Sequence, residues 1–262
     1  MAVARSDDLD IAYDVTGEGD PLLLIMGLGM DATAWALQVP VFGERYRVVT
    51  FDNRGAGRSA GPPGPYTTEQ MADDALAVLD AAGAERTHIV GVSLGGAVAQ
   101  WLALRAPDRV RSLVLVSTWA RPSAWRSRLR AVQLELAGVS RDALLRLRLH
   151  LVFSPLLFEQ KPELIDLIER SMTDRGAPLE GYLAQLDAAE THDARARLPD
   201  IGVPTLGLAG RRDILVPPEL TKEIASAIPG ARLELFETAH AIQFEEVERF
   251  NRVVLDFLST QT

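Results

Sequence analysis

The sequence predicts an α/β fold: a mostly parallel central sheet with helices on both faces and an all-helical insertion. Three observations predict it. Short apolar runs of strand length alternate with amphipathic helical stretches over residues 9–117 and again over 203–258. Glycine- and proline-rich turns punctuate the alternation. Between the two halves, residues 119–197 carry helical patterns only. Alternation of this kind implies right-handed crossovers and a parallel sheet buried on both sides.

The elements follow in order. Residues 9–15 alternate weakly and lead through Gly17-Glu18-Gly19-Asp20-Pro21 into Leu22-Leu23-Leu24-Ile25-Met26, an edge hairpin followed by a buried strand. Residues 31–44 read as a helix and Arg47-Val48-Val49-Thr50-Phe51 as a second buried strand, and the Gly- and Pro-rich residues 53–65 read as loop. Thr67 and Gln70 form a capping box, Met71, Ala75, Val78, Leu79 and Ala82 make the apolar stripe behind it, and Gly83 stops the helix. Residues 87–92 are a strand, 94–105 a helix ended by Pro107, and 112–117 a strand. The helical insertion is broken near Gly138, Pro155, Pro162 and Gly176-Ala177-Pro178. A strand at 203–209, a helix at 219–227, a strand at 232–236 and a helix at 246–258 complete the chain. The partition is a core of residues 1–118 and 198–262 with 119–197 as a helical cap.

Composition narrows the function. With 262 residues, 47% of them hydrophobic, the chain can bury a large core. A net charge of −9 disfavours a phosphate backbone or an anionic membrane as partner. There is no cysteine, hence no disulfide, thiolate nucleophile or Cys-ligated metal, and the only lysines are Lys161 and Lys222. No apolar run approaches the roughly 18 to 20 residues of a membrane span, and the first residues lack the apolar stretch of a signal peptide, so a cytoplasmic location is expected.

The informative segment is Gly91-Val92-Ser93-Leu94-Gly95, a G-x-S-x-G turn between a strand and a helix. Such a turn strains the serine backbone and pushes its hydroxyl out of the sheet, and side chains at 91 and 95 would clash where the helix doubles back. The helix N-terminus adds free N–H groups suited to an oxyanion. Serine needs a base, and four histidines are available. His88 lies at the wrong end of the nucleophile strand, and His150 and His192 lie in the insertion. His240 follows the last strand, at the sheet edge where catalytic loops gather. Asp213 follows the strand at 203–209 and can face His240, giving the chain order Ser, Asp, His.

These residues resemble the α/β-hydrolase superfamily along nearly the whole chain. The wording Leu28-Gly29-Met30-Asp31-Ala32-Thr33-Ala34-Trp35, Gly64-Pro65-Tyr66-Thr67 and Gly91–Gly96 is most similar to small esterases and 3-oxoadipate enol-lactonases, with aminoacrylate-hydrolase-like and carbon-carbon bond hydrolase relatives nearby. The resemblance implies that the Leu28 and Leu94 N–H groups form the oxyanion hole and that the insertion caps the pocket. Met26 stands where the family commonly has histidine. Serine at position 93 separates the chain from epoxide hydrolases and haloalkane dehalogenases, which need a carboxylate there. Asp52-Asn53-Arg54-Gly55-Ala56-Gly57-Arg58-Ser59, also typical of the family, reads as a scaffold turn.

The expected reaction is hydrolysis of a small-molecule carboxylic ester or lactone through an acyl-enzyme, with no metal or organic cofactor implied. Carbon-carbon bond hydrolysis of a diketone-type substrate and a non-catalytic ligand-binding homologue are the alternatives. In the insertion, Arg121, Arg126, Arg128, Arg130, Arg141, Arg146 and Arg148 form a basic patch, read first as a solvated helix face and second as a carboxylate anchor centred on Arg121. Trp119, Trp125, Leu156, Leu157 and Phe158 read as packing within the cap before pocket lining.

Overall fold

A hairpin opens the chain: β1 (Ala2–Ser6) pairs antiparallel with β2 (Leu9–Thr16). Next come β3 (Asp20–Ile25), the short α1 (Val39–Phe42), β4 (Tyr46–Phe51), α2 (Thr68–Ala81), β5 (Thr87–Val92), α3 (Leu94–Arg105) and β6 (Val110–Val116). Five consecutive helices follow: α4 (Ala124–Val139), α5 (Arg141–Val152), α6 (Pro155–Gln160), α7 (Pro162–Arg175) and α8 (Leu179–Thr191). The sheet then resumes with β7 (Thr205–Gly210), α9 (Pro218–Ala227), β8 (Arg232–Phe236), α10 (Ile242–Glu245) and α11 (Val247–Leu258). This computed structural model describes residues 2–7, 9–59, 61–175 and 177–261, without the side chains of 174 and 175. Gly176, at the predicted break 176–178, lies outside the described residues.

The sheet order is β1-β2-β4-β3-β5-β6-β7-β8, antiparallel across β1-β2-β4 and parallel from β4 to β8. Period-two alternation distributes the core. Along β3, Leu23 and Ile25 pack with α2 and α3, whereas Leu22 and Leu24 pack with Trp35, Phe42 and the α11 residues Phe250, Val254 and Phe257. The strand order reverses between β3 and β5, since β4 lies on one side of β3 and β5 on the other. Crevices at such switch points, outside the carboxyl ends of the strands, are where open parallel sheets bind ligands.

Two expectations are corrected. Residues 31–44 are a 3-10 turn, Ala32–Trp35, and the four-residue α1, because Asp31 caps a single turn and Pro40 supplies no N–H to continue one. The edge hairpin lies between residues 2–6 and 9–16. Residues 2–6, Ala2-Val3-Ala4-Arg5-Ser6 with alternating exposure, form no strand-length apolar run, which hid the first strand, and its partner then pairs with β4 rather than β3. Among the described residues no helix is long and apolar enough to cross a membrane.

Candidate active site

Ser93 sits between β5 and α3 with φ +56° and ψ −118°, a conformation that L residues rarely adopt. Local hydrogen bonds hold it there: Ser93 N–H donates to Val116 O at 2.8 Å, and the Thr118 hydroxyl donates to Ser93 O at 2.7 Å. A Cβ at Gly91 would lie 2.4 Å from Gly95 O, and one at Gly95 would lie 2.2 Å from Ile25 O. Only glycine allows the helix to pass so close to the strands. Ser93 Oγ makes no hydrogen bond to another described residue.

Asp213 follows β7, and its Oδ1 accepts from Leu215 N–H at 2.9 Å and Val216 N–H at 2.8 Å. Its Oδ2 is 2.7 Å from His240 Nδ1. That contact places the hydrogen on Nδ1, so the neutral ring keeps its Nε2 lone pair free. The His240 backbone is fixed as well: its N–H donates to Val152 O at 3.1 Å and its carbonyl accepts from the Ser117 hydroxyl at 2.9 Å. Ser93, Asp213 and His240 are 9%, 4% and 5% exposed, and Ser93 and His240 line the same cavity.

The structure leaves the backbone N–H groups of Leu28 and Leu94 without acceptors among the described residues, Leu94 as the first residue of α3. Leu28 lines the cavity. Asn53 Nδ2 donates to Met26 O at 2.9 Å, and Asp52 accepts from Ala32 N–H and from Arg58, so the stretch 52–59 braces the loop after β3. Arg54 pairs with buried Asp74 through Nε and Nη2.

The other histidines stand elsewhere. His88 bonds Ser112 Oγ at the start of β5, and burial, then Arg111, pulls its pKa down to about 4. His192 bonds the Thr68 hydroxyl, and burial, then Arg126, pulls it down to about 3. His150 is exposed on α5.

The cavity spans about 1070 Å³ including its open mouth. Its walls are mostly apolar, with Leu129, Leu149, Phe153, Ile168, Met172 and Phe244 prominent. Arg121 does not line it: Glu223 binds that guanidinium at 2.9 Å, which corrects the carboxylate-anchor reading. Among the described residues, the arginines that reach it are Arg126, Arg130 and Arg148. Arg130 is paired with Asp187. Arg126 and Arg148 form no ion pair among the described residues. Arg126 lies over the Trp119 ring, 3.3 Å from its centroid, and its Nη1 is buried without an acceptor. Burial pulls its pKa down to about 9 although Glu190 opposes the shift. Burial also lowers Arg148, which stacks on Tyr182 at 4.7 Å. Of the aromatic and aliphatic cap candidates, Trp119 lines the cavity, whereas Trp125 and Leu156 are about half exposed. Sequence reasoning missed Gln185; its signal was a polar residue on the apolar stripe Tyr182, Leu186, Ala189.

Comparison with known proteins agrees with this architecture. A family model described as alpha/beta hydrolase fold matches residues 20–247. The protein named "Putative carbamate hydrolase RutD" of Azorhizobium caulinodans is 35% identical over 259 residues, covering 98% of both chains. The enol-lactonase structure from Burkholderia xenovorans LB400 superposes with a TM-score of 0.90 at 32% identity, covering 98% of this chain and 100% of that one. A thermophilic esterase from Thermogutta terrifontis gives a TM-score of 0.90 at 29% identity, over 100% and 99% of the two chains.

Proposed function

As the chain belongs to the alpha/beta hydrolase fold family, we propose that it is a serine hydrolase that cleaves a small carboxylic ester or lactone through a Ser93-His240-Asp213 triad. The observation that carries the reading is the Asp213–His240 hydrogen bond of 2.7 Å at a cavity shared with a strained serine. His240 Nε2 takes the Ser93 proton as Oγ attacks the carbonyl carbon, and Asp213 holds the ring in the required tautomer. The Leu28 and Leu94 N–H groups receive the developing oxyanion at the positive end of α3. His240 returns the proton to the leaving oxygen, then activates the water that releases the acyl group.

Residues 119–197 act as the cap, and their apolar side chains receive the acyl part. Arg126 brings a cation to the cavity wall, which favours substrates that carry a carboxylate. The similarity to RutD supports a second reading, hydrolysis of a carbamate, in which the same attack occurs at a carbamoyl carbon. Ser93→Ala decides the triad: it abolishes p-nitrophenyl acetate turnover and fluorophosphonate labelling, and unchanged turnover refutes the mechanism. A panel of short esters, enol-lactones and carbamates ranks the substrate classes by kcat/KM.

A further inference from the structure

Gly27-Leu28-Gly29-Met30 forms a tight turn, with Met30 N–H reaching Gly27 O at 3.4 Å and Gly29 at φ +70°. A positive φ at the third position marks a type II turn. Types I and II differ by rotation of the central peptide through about 180°. Here that peptide joins Leu28 to Gly29, and two cap helices grip it from opposite ends. Arg148 Nη2, from α5, donates to Leu28 O at 2.6 Å. Gln185 Oε1, from α8, accepts from Gly29 N–H at 2.7 Å. Neither gripping group is free to turn. Gln185 is fully buried and its Nε2 donates to Arg54 O at 2.8 Å. Arg148 is stacked on Tyr182, and a Cβ at Gly29 would lie 2.8 Å from Tyr182 Cδ2 and 2.9 Å from Arg148 Nη1. One helical turn beyond Arg148, Val152 O accepts from the N–H groups of His240 and Ala241, both at 3.1 Å. The last turn of α5 therefore touches the oxyanion turn on one side and the base loop on the other.

We propose that Arg148 and Gln185 are positioning residues: together they lock the Leu28–Gly29 peptide, so that the Leu28 oxyanion donor is correctly aimed only while α5 and α8 sit over the core. The role rests on the hydrolase reading above. The peptide direction sets ψ of Leu28, and through it the placement of the neighbouring Leu28 N–H against the Ser93 hydroxyl. A buried guanidinium with no carboxylate partner among the described residues is a costly group to retain, and a carbonyl whose direction matters gives it a use. A substrate that holds the cap away from the core would bind and react slowly, because the same helices that admit it complete the donor pair.

The test compares wild type, Arg148→Met, Arg148→Lys and Gln185→Leu, each checked for folding by circular dichroism. Steady-state kinetics with p-nitrophenyl acetate, a neutral ester, are expected to show kcat reduced roughly 10- to 100-fold in each variant with KM within about threefold. Fluorophosphonate labelling slows in parallel, and millimolar guanidinium restores part of the rate to a further folded variant, Arg148→Ala, but not to Gln185→Leu. Amide hydrogen exchange at Gly29 accelerates in Gln185→Leu. A kcat within twofold of wild type in both Arg148→Lys and Gln185→Leu overturns the proposal. A loss confined to acid-bearing esters and expressed as raised KM also overturns it, making Arg148 a substrate ligand. Activity retained by Ser93→Ala overturns the hydrolase reading instead, while the Gly29 exchange still judges the clamp.

Discussion

Replacing Asp213 with asparagine isolates the tautomer argument. The carboxylate serves three donors: Leu215 and Val216 N–H on Oδ1, and His240 Nδ1–H on Oδ2. An asparagine has one acceptor oxygen and an NH2 group. If its oxygen faced His240, the NH2 would meet the N–H groups of half-buried Leu215 and buried Val216, and the buried one alone loses its acceptor at about 1–3 kcal/mol. The oxygen therefore stays with the backbone, and the NH2 points at Nδ1. Nδ1 must then accept, the ring proton moves to Nε2, and the nitrogen proposed to take the Ser93 proton becomes a donor. Loss of the correct tautomer costs about four powers of ten in kcat in a Ser-His-Asp enzyme, equivalent to roughly 5.4 kcal/mol. The fold keeps both backbone bonds, so the melting temperature should move by only a few degrees. Initial rates with p-nitrophenyl acetate between pH 7 and 9, alongside a thermal melt, make the measurement. A folded Asp213→Asn protein with kcat within tenfold of wild type would falsify the assigned tautomer and Asp213 as its cause.

Three other outcomes follow from the same geometry. Arg126→Leu removes an unpaired cation from the cavity, so kcat/KM for a half-acid ester should drop about 10- to 100-fold relative to its neutral methyl analogue, the value of a charge-assisted hydrogen bond; an unchanged ratio removes Arg126 from recognition. His192 is held neutral with its pKa near 3, so the unfolded chain binds a proton there that the folded chain does not as pH falls below its ordinary value of 6.5. Stability should then fall with pH over that window by up to about 1.4 kcal/mol per unit, and urea unfolding of His192→Gln between pH 4.5 and 7.5 should show a shallower decline; equal slopes refute it. Gly95→Ala forces a Cβ to 2.2 Å from Ile25 O and 2.8 Å from Met26 O, both backbone atoms that cannot yield cheaply. The expected result is a loss of more than about 4 kcal/mol or no folded protein, and a soluble variant that melts like wild type contradicts the packing of α3 on β3.

The strands β3 to β7 were legible because burial on both faces turns them into apolar runs, and α2 was legible because its capping box and stripe are local. β1 was not, since an edge strand with alternating exposure has no apolar run to announce it. Residues 31–44 look helical by periodicity, yet Pro40 and the packing of Trp35 and Phe42 against the sheet fix a broken turn instead. In the arginine-rich insertion, composition marked a cluster without ranking its members. Glu223, distant in sequence, neutralises Arg121, while Arg126 and Arg148 stack on Trp119 and Tyr182 at the cavity and form no ion pair among the described residues.

By itself the sequence determined the alternation that makes a parallel sheet and the glycines that permit the turn at Ser93, and it singled out Asp213 and His240, which the structure joins by a hydrogen bond. These are properties of near neighbours in the chain or of residue types too few to offer another choice. Tertiary structure alone decided which arginines face the cavity, and that Gln185 and Arg148 grip one peptide from opposite ends. Such contacts join residues 120 and 156 positions apart. No local periodicity encodes a distance of that kind; it is set by how the helices after β6 pack back over the carboxyl edge of the sheet.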